Sequence, residues 1–203
     1  MRIYVESNFL LEIVWEQAQE DSARRLLELA GGGSIELVVP SFALIEPYWT
    51  LRHRSGARQH HLEQLGNTKR ALIRSRAGTD AAATVDRLIE QIGRLDVADD
   101  ASYKDVVKEI FRVCRTVDLR SDEIVKGSSI MVQTGIGYFD AVLLATVLAD
   151  LRAHPPIKEC AFVSLDRRGF SDPTIQALLA DLGCKYIGSF EDAVAFVTAV
   201  AQR

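Results

Sequence analysis

In YVESNFLLEI, residues 4–13, an apolar run is broken by a carboxylate at Glu6 and two polar side chains at Ser7 and Asn8. MRIYV before the break is apolar and β-branched like a short strand, and LLEIVWEQ after it has the spacing of a helix with a wide apolar face. Glu6 therefore stands at a strand-to-helix junction, where an acid needs a reason.

The same alternation runs outward from that junction. A helix is expected from about residue 8 and a second from Asp21 or Ser22, stopped by Gly31, Gly32 and Gly33. Residues 35–39, IELVV, read as a near-continuously apolar strand, the pattern of a sheet covered on both faces. Ser41, after Pro40, is placed to cap the next helix, FALIEPYWTL, which Pro47 should kink or restart because it lacks an amide hydrogen. From about 58 to 115 the chain turns charged and helical, with caps expected near Thr79 and near Asp99 or Asp100, and no strand. Alternation then resumes with a weak apolar stretch near Val117, a helix from Ser121 and an apolar helix over 138–151. A buried strand over 160–165 follows, then a helix opened by Asp172-Pro173 and closed by Gly183. A strand over 185–187 and a helix capped by the Ser189-to-Asp192 box complete the chain. Strands separated by helices need crossovers, so the expected fold is a single α/β domain over 1–203. It is a three-layer sandwich around a mostly parallel sheet, with a charged helical insertion at about 58–115.

A chain of 203 residues with 48% hydrophobic content fills one substantial core. Its opening lacks a basic stretch leading into a long apolar one, and the longest apolar run, residues 141–149, falls short of the roughly 20 residues a bilayer requires. A soluble, cytoplasmic protein is expected. Cys114, Cys160 and Cys184 are scattered without ligand spacing, which argues against a disulfide framework or a structural zinc site. The net charge of −4 gives no sign of nucleic-acid binding, but the charge is unevenly spread. Between residues 52 and 78, Arg52, Arg54, Arg58, Lys69, Arg70, Arg74 and Arg76 stand against Glu63 alone. Such a run is either a solvated helix face or a surface for a polyanion.

Ligands of parallel sheets bind outside the carboxyl ends of the strands. Glu6 ends the first strand, Asp166 ends the strand AFVSL, and Glu46 and Asp140 lie near the starts of helices that follow loops. Each acid is embedded in apolar sequence, and a buried carboxylate is costly unless it is paired or bound to a metal. With no obvious basic partner for each, convergence on a cation is the simplest solution. Oxygen-only donors suit Mg²⁺ or Mn²⁺, and such an ion beside a phosphodiester activates water and neutralises transition-state charge. Asp140 should stay ionised with help from the helix dipole. The competing readings are structural: Asp140 and Asp166 as helix or turn caps, and Glu6 and Glu46, poorer caps, as buried partners of arginine. Asp172 reads as an N-cap before Pro173, and Trp15, Tyr48 and Trp49 as core residues or as bases' stacking partners. Gly135-Ile136-Gly137 lacks the third glycine of a dinucleotide site.

YVESNFLL, PSFALIEPYW, YFDAVLLATVL and FVSLDRRGF, in this order, resemble the motifs of PIN-domain ribonucleases, including the VapC-type toxins. That family typically has an aspartate, a small polar residue and an asparagine after its first strand, then a glutamate in an early helix. An aspartate opens a late helix, and threonine or serine stands two residues before another aspartate. Those places are held here by Glu6 with Ser7 and Asn8, by Glu46, by Asp140, and by Ser164 before Asp166. The first acid is thus glutamate in place of aspartate, and the middle is longer than in compact toxins. The resemblance covers about residues 1–51 and 117–196. It implies a parallel sheet with its acids at the carboxyl edge and Mg²⁺- or Mn²⁺-dependent hydrolysis of single-stranded or structured RNA. On that resemblance Glu6, Glu46, Asp140 and Asp166 are catalytic, with Glu6, Asp140 and Asp166 holding the metal and Glu46 orienting or deprotonating the attacking water. Ser7, Asn8 and Ser164 would position water or phosphate, and the basic run would bind the RNA backbone. The partners implied are RNA, an antitoxin or inhibitor protein and a second copy of the chain in a homodimer. The alternative is a decayed PIN-like module that binds RNA or a protein without cleaving.

Overall fold

The apolar, β-branched stretches at residues 2–5, 36–40 and 160–163 become strands largely buried on both sides, as the centre of a sheet with crossover helices requires. The computed structural model describes residues 1–156 and 158–202. Among them five strands, β1 (Arg2–Val5), β2 (Glu36–Pro40), β3 (Arg115–Val117), β4 (Cys160–Val163) and β5 (Lys185–Ile187), form one sheet in the order β3-β2-β1-β4-β5. Every pairing is parallel, with Tyr4 opposite Val38 on one side and opposite Phe162 on the other. The helices are α1 (Ser7–Val14), α2 (Glu20–Gly31), α3 (Ile45–Leu72), α4 (Thr79–Val113), α5 (Ser121–Thr134), α6 (Tyr138–Ala153), α7 (Arg167–Phe170), α8 (Pro173–Ala180) and α9 (Phe190–Ala201). Because β1 to β2 and β4 to β5 step in opposite directions, right-handed crossovers place α2 and α8 on opposite faces. α2 and α9 pack together over β2, β4 and β5, while α6 lies on β2 and β3 with α5 against it. The expected α/β sandwich is observed, with the sheet parallel throughout.

Local chemistry explains most of the boundaries. Asp172 accepts from the Thr174 amide at 2.8 Å with Pro173 in the first helical position, and Ser189 accepts from the Asp192 amide at 3.0 Å. α5 ends at Gly135, whose φ of 75° is left-handed and suits glycine. Gly127 lets α5 lie directly on α6: a Cβ there would stand 2.6 Å from Val142 Cγ2 and 2.9 Å from Val142 Cα.

Two local expectations, at Ser41 and at Asp99 and Asp100, are corrected. Ser41 does not cap α3 but opens a short 3₁₀ turn, Ser41–Leu44, ahead of it. Of the two outcomes expected at Pro47, the restart is observed: α3 begins afresh at Ile45 with Pro47 in its first turn, where its missing amide hydrogen has no intrahelical partner to lose. α4 runs unbroken past Asp99 and Asp100; these acids are used laterally, Asp99 on Arg58 at 2.7 Å and Asp100 on Lys104 at 2.5 Å. All three cysteines are free.

The chain divides into two compact units. One comprises Met1–Pro47 with Asp105 onward and contains the sheet; the other is Tyr48–Lys104, built from α3, α4 and the turn between them. In the second unit Arg58 pairs with Asp96 and Asp99, and Lys69 with Asp86. Early α3 thus meets late α4 and late α3 meets early α4, the register of an antiparallel helical hairpin. No single helix among the described residues is long and apolar enough to cross a membrane.

Candidate functional site

The connections from β1 and β4 leave in opposite directions, which opens a crevice beyond their carboxyl ends. Val5 and Val163 are the last register pair there, so the next residues, Glu6 and Ser164, are neighbours across the two strands. Glu6 lies 4% exposed at the N-cap of α1, and its Oε2 accepts from the Asn8 amide at 2.8 Å. The expectation that glutamate caps poorly fails here, because the longer side chain curls back onto the second amide. Oε1 is buried without a hydrogen-bond partner. The Asn8 and Ser164 side chains lie close enough to favour the anion without completing a bond to that oxygen. Burial pushes the Glu6 carboxyl up to about 7, and the nearby Glu46 adds to the rise.

The other acids arrive from separate elements. Glu46, second in α3 and exposed, receives the Ser7 hydroxyl hydrogen bond at 2.5 Å. Asp140, third in α6, lies half-buried over Gly137, where a Cβ would stand 3.1 Å from its Oδ2. Burial, then Glu46 and Asp166, raise Asp140 to about 6. Burial and two like charges push the carboxyl up, but a value of about 6 still leaves Asp140 mostly ionised at neutral pH. Asp166 caps α7 through the amides of Arg168 at 3.0 Å and Gly169 at 3.1 Å. The fully buried Ser164 accepts from the Asp166 amide at 3.0 Å.

The fold thus brings Glu46 within electrostatic reach of both Glu6 and Asp140, and Asp166 within reach of Asp140, with Ser7, Asn8 and Ser164 beside Glu46, Glu6 and Asp166. Among the described residues no arginine or lysine forms an ion pair with Glu6, Asp140 or Asp166. Nor does any group of three or more histidine, cysteine, aspartate or glutamate side chains among them stand as a ready-formed metal cage. Glu46 and Asp166 oxygens are engaged by Ser7 and by backbone amides.

The basic run belongs to the other unit, apart from these acids in the division of the chain. Arg58 and Lys69 are consumed by ion pairs within it, and Arg70 donates to Asn67 Oδ1 at 2.7 Å. Arg52 lies over the Tyr48 ring, 6.0 Å from its centroid. Arg52, Arg74 and Arg76 form no ion pair with a carboxylate among the described residues, and Arg54 is exposed. Trp15 is half-buried; Tyr48 and Trp49 are 41% and 68% exposed.

Some participants escaped the sequence reading. The Tyr186 hydroxyl donates to the Ser164 carbonyl at 3.3 Å, and Asp166 and Glu6 both act on its phenol. Strand order was the missing signal: Tyr186 sits opposite Phe162, one strand from the acids. At the opposite, amino edge Arg115 bridges Glu36 at 2.6 Å and Asp150 at 2.6 Å, Arg2 also holds Glu36, and Tyr4 donates to Asp150 at 2.5 Å. Asp150 closes the far end of the helix that carries Asp140, so this network fixes α6 along its length.

Fold and site define an α/β protein with a parallel five-stranded sheet and an acid cluster at its switch point. No family model and no curated protein matches the chain. Among solved structures it is similar to the crystal structure of VapBC2 from Rickettsia felis bound to a DNA fragment from their promoter, at 13% identity and a TM-score of 0.44 over 92% of this chain and 98% of that one. A likeness of that extent carries no part of the functional reading.

Proposed function

We propose that the chain is a divalent-metal-dependent endoribonuclease of the PIN-domain kind, toxin-like or RNA-processing. The observation that carries this reading is Glu6 Oε1, a carboxylate oxygen buried without a hydrogen-bond partner among the described residues, in a cluster where Glu46 pushes up the carboxyls of both Glu6 and Asp140. Left alone, such a group is costly; a cation in the cluster removes the cost. The donors are all carboxylate oxygens, which suits Mg²⁺ or Mn²⁺. Glu6, Asp140 and Asp166 would hold the ion, which when bound supplies a Lewis acid for the phosphate and the attacking water.

The chain's own residues supply the rest. The Ser7 hydroxyl fixes the Glu46 carboxylate, leaving it oriented to take the proton of an attacking water. Asn8 and Ser164 favour the charged form of Glu6 against the effect of burial and position the scissile phosphate. Arg52, Arg54, Arg58, Lys69, Arg70, Arg74 and Arg76 contact backbone phosphates, giving salt-dependent affinity with little sequence choice; Arg58 and Lys69 contribute less because carboxylates already pair with them. An antitoxin or inhibitor protein and a second copy of the chain are the protein partners this reading entails.

Purified protein with Mn²⁺ or Mg²⁺ is expected to cut RNA, chelation to stop it, and Asp140→Asn to abolish it. Glu46→Gln should lower kcat by roughly 10² to 10⁴, the scale of a lost general base. Equal cutting by wild type and Asp140→Asn would overturn the reading. One observation favours a second reading, a module that binds RNA without cleaving it: the four acids are not disposed as a ready-formed cage. Retained RNA binding without Mn²⁺ binding would decide for that module.

A further inference from the structure

Beside Asp140 stands an aromatic surface that the chemistry above does not use. Phe139, second residue of α6, is 61% exposed, and its ring lies nearly parallel to that of Phe42, with centroids 5.6 Å apart and an interplanar angle of 17°. Phe42 is half-buried in the 3₁₀ turn after β2, four residues before Glu46, so it backs Phe139 with a fixed ring. Tyr138, 39% exposed, meets the Phe139 ring edge-on at 6.3 Å and 61°. A large apolar ring left facing water is unfavourable unless something covers it. The occupant is constrained by position: Phe139 directly precedes Asp140 and Phe42 stands four residues before Glu46, two of the four acids proposed to act on a phosphodiester.

We propose that Phe139, backed by Phe42, is the platform on which an unpaired nucleobase next to the scissile phosphate stacks, which positions that phosphate at the acids. The proposal rests on the ribonuclease reading and adds to it a residue that positions the substrate. A flat ring already stacked on one face extends naturally to a third ring on the other, and every base has a face to offer, so this contact selects strandedness and not sequence. Bases in a duplex are already stacked on their neighbours and reach such a platform only by being flipped out.

The test uses full-length protein with Phe139→Ala, Phe139→Leu and Phe139→Trp, an unpaired RNA oligonucleotide, and the same strand annealed to its complement. Wild type is expected to cleave the unpaired strand in preference to the duplex. Phe139→Ala and Phe139→Leu should raise KM for the unpaired strand on the order of tenfold with a smaller change in kcat, and Phe139→Trp should restore it. Leucine keeps apolar bulk without a π face, so its failure to rescue separates stacking from packing. Added indole fluorescence of Phe139→Trp, beyond that of Trp15 and Trp49, should be quenched by the unpaired strand and not by the duplex. Cleavage unchanged by Ala and Leu would overturn the platform and leave the ribonuclease reading standing. If wild type cuts no RNA, that reading falls and the quench alone decides: its presence supports the platform, its absence overturns it. A dimer or a protein complex that dissolves in Phe139→Ala while RNA handling is unchanged would give this surface to a protein instead.

Discussion

Glu6 is held by a single backbone hydrogen bond on one oxygen while the other is buried and bare. Its folded value near 7 against an unfolded value of 4.5 means that the native state binds the proton more tightly than the unfolded chain. Ionisation therefore costs stability, and the cost grows as pH rises from about 4.5 to about 7. Glu6→Gln keeps the shape and the Asn8 contact and removes the charge. At about pH 8 and without divalent metal it should raise the unfolding free energy by up to about 3 kcal/mol, at about 1.4 kcal/mol for each pKa unit, with little effect near pH 4. Urea denaturation at the two pH values measures it, and no gain at the higher pH would show that the charge is already compensated. Asp150 runs the opposite way. Burial alone would raise its carboxyl, but hydrogen bonds from Arg115 and Tyr4 hold it at about 2. Its contribution is present above the unfolded value of 3.8 and lost as pH falls through about 2. Asp150→Asn should cost on the order of 2 kcal/mol at neutral pH and flatten the acid limb of the stability profile between about pH 4 and about pH 2; an unchanged acid limb would remove the network's role.

Elements differ in how far local chemistry decides them. Strand and helix positions were legible because period and punctuation agree: IELVV between glycine and proline, Asp172 before Pro173, Ser189 three before Asp192. The misread boundaries are those settled sideways. Asp99 and Asp100 look like caps along the chain, yet Arg58 and Lys104 engage them from the helix flank, so α4 continues through both. Glycines divide in the same manner. Gly56, in the middle of exposed α3, has nothing within 4 Å of a built Cβ, so Gly56→Ala should stabilise by about 0.5–1 kcal/mol through helix propensity. At Gly127 the same change drives a methyl into the Val142 backbone, prises α5 from α6 and should cost about 1–3 kcal/mol. Thermal unfolding of the two variants should shift in opposite directions; a stabilised Gly127→Ala would contradict the close packing of these helices.

At the scale of the molecule, the acids were legible one at a time because each interrupts apolar sequence at the end of an element. Their common neighbourhood follows from the β3-β2-β1-β4-β5 order, which puts the ends of β1 and β4 side by side. The contacts that no local pattern announces depend on that order alone: Tyr186 on Ser164, Phe42 on Phe139, and Arg115 joining β2 to the far end of α6. Charge is likewise distributed by unit: among the described residues no cation forms an ion pair with Glu6, Asp140 or Asp166, and the basic residues of α3 are partly neutralised by α4. Binding of a divalent ion by the acids is the claim on which the chemistry turns, and calorimetric titration of Mn²⁺ into wild type and Asp140→Asn measures it directly. Saturable binding by wild type, weakened at least tenfold in the variant, is expected. No heat up to millimolar Mn²⁺, or the same isotherm for both proteins, would contradict it.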